Sequence, residues 1–129
     1  MGTGAVLMPG GENSEANAIS ANGMVVVGYS GSVAVRWVGT GAPTSLGAPG
    51  NARAVSSDGS VIVGNAGSEA FIWTAATGLT TVSSVAAAAG VSLTGWVLSV
   101  ANGVSANGKV IVGNGTRNGV VEAWYLRLP

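Results

Sequence analysis

Hydrophobic residues run in unbroken triplets at three places in this chain, Val25-Val26-Val27, Val61-Ile62-Val63 and Val110-Ile111-Val112, and a glycine closes each one. A strand with one wet face alternates apolar and polar residues, so an unbroken β-branched run predicts a strand whose sheet is covered on both faces. Each run follows a polar turn, Asn22-Gly23, Asp58-Gly59 or Asn107-Gly108, and each turn follows a short segment that starts in alanine. Together these form one phrase, A-x-[AG]-[IV]-S-[AS]-[ND]-G-x-V-[VI]-V-G, present at Ala16–Gly28, Ala52–Gly64 and Ala101–Gly113. A chain made of one small unit repeated three times carries its architecture in the period.

The first two copies stand 36 positions apart, and the same offset relates Trp73 to Trp37; the third copy is displaced by 49. The added length falls at Ser83 to Leu98, with four more residues between Gly113 and Glu122, and loops are expected to absorb both. Four strands are predicted per unit. The first is Ala52 to Ser56 and its equivalents, and the second is the apolar triplet. The third is Glu69 to Trp73, matched by Val33 to Trp37 and Glu122 to Leu126. A weaker fourth precedes each phrase, at Ala5 to Met8, Pro43 to Leu46 and Leu79 to Val82. The Asn-Gly and Asp-Gly turns close hairpins, with Ser20, Ser56 and Ser105 bonding turn amides. Recurrent Ala16, Ala52 and Ala101 predict close approach near an axis.

Four-stranded antiparallel units of this length, stacked face to face, are blades of a β-propeller. The expected fold is all-β, one repeat domain over residues 1–129 with units near 4–38, 39–74 and 77–128. A short inserted helix is expected near 83–90, capped by Ser83 or Ser84 and stopped at Gly90. Three blades are too few to close a ring, so a homodimer completing six is expected, covering apolar end faces. A β-trefoil or β-prism is the alternative.

Composition narrows function by subtraction. Five acidic and five basic side chains cancel, and charged residues are 8% of the chain, which leaves no field for nucleic acid. Histidine and cysteine are absent, removing the commonest general base, the best transition-metal ligands and any disulfide. No cofactor and no catalytic residue is expected. Met1-Gly2-Thr3-Gly4 does not begin a signal peptide, and the alanine-rich run from Val85 to Val91 is too short to span a membrane.

The candidate ligand-binding residues are Trp37, Trp73, Arg36, Asn65 and Asn114. One aromatic per blade can stack on a sugar, with the arginine and asparagines adding directional hydrogen bonds. Packing between blades is the competing role for the tryptophans. Glu69 and Glu122 occupy equivalent places, as a pair of glycosidase carboxylates would, and the simpler expectation is a surface ion pair with Arg36 or Arg127.

The phrase around Ala52–Gly64, followed by Glu69-Ala70-Phe71-Ile72-Trp73-Thr74 and Gly78-Leu79, resembles the bacterial extracellular HAF repeat family, whose His-Ala-Phe triplet gives the name. Gly95-Trp96-Val97-Leu98 and Glu122-Ala123-Trp124 are similar to the closing repeats of such proteins. Here Val33, Glu69 and Glu122 replace the histidine. The resemblance implies a secreted or surface protein, sometimes an autotransporter passenger region, built of propeller-like repeats and acting as a structural or adhesive module. A carbohydrate-binding propeller is the alternative function and a glycoside hydrolase a distant third.

Overall fold

The computed structural model describes residues 13–39 and 41–129, and the strand expected at Ala5 to Met8 lies outside them. Eleven strands and one helix form three antiparallel sheets among the described residues. The first sheet contains β1 (Ser14–Ile19), β2 (Val25–Ser30), β3 (Val33–Val38) and β4 (Thr44–Pro49), hydrogen-bonded in that order. The second repeats the arrangement with β5 (Asn51–Val55), β6 (Ile62–Ala66), β7 (Glu69–Thr74) and β8 (Gly78–Thr81). After helix α1 (Val82–Ala88), the third sheet holds β9 (Trp96–Val104), β10 (Val110–Arg117) and β11 (Val120–Arg127), with β10 in the middle. The weak fourth strand therefore pairs with the β3-type strand just before it, and each of the first two sheets is an unbroken stretch of chain.

Every phrase folds in one way. Ser20, Ser56 and Ser105 each accept from the N–H of the first triplet valine, at 3.1, 3.0 and 3.0 Å, and each donates to the side chain of Asn22, Asp58 or Asn107. The glycines that follow take φ of +75, +82 and +74°, while Asn22, Asp58 and Asn107 keep negative φ. Only glycine enters the left-handed region; the residue before it serves through its side-chain oxygen, which holds the amide two residues on.

The alanine crowding is within each sheet. Register passes over Asn17, Arg53 and Asn102 at the same place in the first strand of each unit, with a second skip at Ser99 in β9, and the shared bulge pushes a carbonyl against the glycine that ends the triplet. A Cβ on Gly28, Gly64 or Gly113 would stand 1.8, 2.0 or 1.9 Å from the main-chain oxygen of Glu15, Asn51 or Val100. The neighbouring alanine Cα lies 2.9 to 3.1 Å from the same point. The phrase begins in alanine and ends in glycine because those two ends meet across the bulge.

The sheets stack through their faces, with the second between the other two. Val25, Val27, Ala34 and Leu46 of the first sheet pack on Ala52, Ile62 and Phe71 of the second. On its other face, Val63, Ala70 and Ile72 pack with Ala101, Ile111, Trp124 and Leu126 of the third. Consecutive residues of the middle triplet, Val61-Ile62-Val63, thus serve opposite cores, as its unbroken apolar run requires. Burying both faces of β6 stabilises through apolar area, on the order of 25 cal/mol per Å².

The inserted lengths build structure of their own. Helix α1 buries Val82 and Ala86 in the core between the second and third sheets, and Thr81 caps it, accepting from the Ser84 N–H at 3.1 Å. The cap thus falls two or three residues before the serines expected to serve. The four residues added after Gly113 lengthen β10 and β11 into a hairpin paired from Val110↔Arg127 to Arg117↔Val120.

Candidate functional site

Each sheet has a leading face, turned toward the preceding sheet, and a trailing face, turned toward the next. In the second sheet Ala52, Ile62 and Phe71 lead, and Val63, Ala70 and Ile72 trail. Pairing registers carry these positions onto the others: Val27, Ala34 and Arg36 trail in the first sheet, and Val112, Ala123 and Tyr125 in the third. Val27 and Val63 are both 0% exposed, whereas Val112 is 44% exposed and Tyr125 69%. At the other end Ala16 and Gly23 are exposed, although their counterparts Ala52, Ala101, Gly59 and Gly108 are buried, and Ile19 is exposed where Val55 and Val104 are half-buried.

The trailing face of the third sheet and the β1 side of the first sheet's leading face are open apolar surfaces, whereas Val35 and Trp37 on the β3 side of that leading face are buried. A shallow depression on the trailing face of the third sheet is lined by Asn102, Val112, Asn114, Ala123 and Tyr125. Another on the leading face of the first is lined by Ala16, Asn17, Ala18, Ile19 and Val26. No charged residue lines either depression, and Arg127, paired with Val110, stands exposed at the edge of the trailing face.

The five residues singled out as ligand contacts do not converge. Trp37 is 1% exposed, inside the protein. Arg36 and Trp73 meet across the first junction, the guanidinium carbon 4.7 Å from the ring centroid, with the Arg36 Nε–H buried and without an acceptor among the described residues. Asn65 accepts from Arg53 Nε at 2.8 Å and donates to the Gly67 carbonyl. Asn114 stands exposed on the far end face. The register shared by Trp37, Trp73 and Leu126, opposite Val26, Ile62 and Ile111, lies on the leading face, which packs on the preceding sheet at Trp73 and Leu126; in the first sheet Val35 and Trp37 lie on that face and are buried, 4% and 1% exposed.

Sequence reasoning missed a crevice of about 220 Å³ beside α1, lined by Ala86, Val91, Leu93, Trp96, Leu98 and Trp124. Trp124 Nε1 is buried without an acceptor among the described residues. At the rim, Arg117 lies 5.7 Å from the Trp96 ring and pairs with Glu122 at 3.0 Å. Glu122 thus answers Arg117, and not Arg36 or Arg127. The signal was available in principle, since the four extra residues place Arg117 opposite Trp96 in the lengthened hairpin.

Among titratable groups, Asp58 is held below its ordinary value by hydrogen bonds from the Ser60 hydroxyl, the Ser60 amide and the Ser56 hydroxyl. It is a turn-stabilising carboxylate. Among the described residues no three His, Cys, Asp or Glu side chains cluster to hold a metal, and no helix is long and apolar enough to cross a membrane. Comparison with family models, with characterised proteins and with solved structures finds no match to this chain.

Proposed function

We propose that this chain is an extracellular structural or adhesive repeat module that works by self-association, its three sheets serving as half of a six-bladed propeller ring. The observation that carries the reading is the exposure of Val112 and Tyr125, since the equivalent valines are fully covered one and two sheets earlier. An apolar face that its own repeat buries elsewhere is a surface built for contact. The likeness to HAF repeats and the absence of cysteine support an exported location. No catalytic step is assigned: the chain lacks histidine, and Glu122 is engaged with Arg117.

Size-exclusion chromatography with light scattering tests this directly. At tens of micromolar the native protein is expected at twice the 12.5 kDa mass of one chain. A particle of one chain's mass would remove the basis of the reading. A glycan array on the same sample addresses the carbohydrate-binding alternative, which needs binding that Trp73→Ala abolishes.

A further inference from the structure

The exposed end faces are not two unrelated patches, because the chain contains two finished examples of the junction they would make. At the first, Val25 places a methyl 2.5 Å from where a Cβ on Gly59 would stand; at the second, Val61 does so at 2.7 Å from the corresponding point on Gly108. In both, a valine opening a triplet fits against the left-handed glycine of the next sheet's turn, and only glycine leaves it room. The third valine of the series is Val110, on the open trailing face. The third glycine is Gly23, on the open β1 side of the leading face, with nothing within 4 Å among the described residues.

A polar contact adds to this at the first junction, while at the second the equivalent residue, Arg53, bonds Asn65 within its own sheet. Asn17, at the bulge of the first sheet, reaches across to the second and donates to the Ala52 carbonyl at 2.9 Å and the Asn51 side chain at 2.6 Å. The residue equivalent to Asn17 in the third sheet is again asparagine, Asn102, exposed beside Val112 and Asn114. The residue equivalent to Ala52 in the first sheet is Ala16, also exposed. Donor and acceptor, knob and hole, are thus present at opposite ends of one chain with their counterparts missing.

We infer that the trailing face of the third sheet docks on the open β1 side of the first sheet's leading face in a second copy of this chain, head to tail. Val110 then seats on Gly23, and Asn102 donates to the Ala16 carbonyl. The inference rests on the self-association proposed above and adds its polarity. Back-to-back pairing of two third sheets would bury Tyr125 against its own copy and bring two Asn102 side chains together, leaving Gly23 and Ala16 open. A head-to-tail contact repeated by both chains closes a ring when its rotation allows.

The chain has no cysteine, so engineered thiols report without background. Ala16→Cys and Asn102→Cys proteins are prepared separately, mixed, allowed to exchange subunits and oxidised. The head-to-tail junction predicts a covalent pair in the mixture and none from either variant alone. A covalent pair from Asn102→Cys alone would establish back-to-back contact and overturn the inference. Lack of any covalent pair, with light scattering still giving two chains, would overturn the junction and leave self-association standing; a one-chain mass would sink both. Val112→Glu gives an independent check, since its exposed side chain leaves the lone chain folded while a carboxylate in the junction weakens assembly by about tenfold or more. Unchanged assembly would contradict the docked face.

Discussion

The main-chain oxygen of Asn51 lies over Gly64 so closely that a Cβ there would stand 2.0 Å from it. The contact follows from the bulge at Arg53, and the same one recurs at Glu15 with Gly28 and at Val100 with Gly113. Since the obstacle is backbone inside a paired sheet, it cannot rotate away. Gly64→Ala is expected to destabilise by about 3 kcal/mol, at the upper end of overpacking effects. Gly67→Ala is the control for turn strain, since Gly67 has φ +61° and nothing within 4 Å; urea denaturation of both should show the larger loss at Gly64.

Asp58 supplies a pH dependence of known sign. Hydrogen bonds from Ser60 and Ser56 favour its charged form and lower its folded value below the ordinary 3.8, so its contribution is present above that value and lost as pH falls through the folded one. Asn22 and Asn107 perform the same task uncharged. Asp58→Asn should therefore lose less stability than the native protein between neutral and strongly acidic pH. Equal losses in thermal melts across that range would show that the Asp58 carboxylate contributes nothing.

Arg36 occupies the position that Ile72 fills in the second sheet, and its Nε–H is buried without an acceptor among the described residues. The Trp73 ring offsets part of the desolvation, and a buried unsatisfied donor costs about 1 to 3 kcal/mol. Arg36→Ile is expected to be neutral or to stabilise by about 1 kcal/mol. A loss beyond about 1 kcal/mol in the same denaturation assay would mean that the cation–ring contact outweighs the orphaned donor.

What could be read from the chain is what recurs in it. The triplets, the Asn-Gly and Asp-Gly turns and the serines that brace them are local chemistry repeated three times, and each copy folds as its residues dictate. The bulge was hidden because Asn17, Arg53 and Asn102 are polar side chains common on any exposed strand; its trace is the alanine and glycine at the ends of the phrase, whose meeting needs the register of the pair. Thr81 was overlooked as the helix cap because its strand runs straight into the helix with no loop between.

The candidate site was less legible for a related reason. Val63 and Val112 hold the same register position, yet the first is 0% exposed and the second 44%, a difference set by their place in the stack. Periodicity assigns a residue to a face. Whether that face meets a neighbouring sheet or water depends on how many sheets surround it, which a single repeat does not encode.

Small-angle X-ray scattering of the native protein, giving mass and envelope together, bears most directly on whether stacked sheets continue from one copy into the next. Head-to-tail stacking predicts a flat disc of six sheets with twice the 12.5 kDa chain mass. A compact particle with the mass of one chain, its end faces open to water, would contradict it.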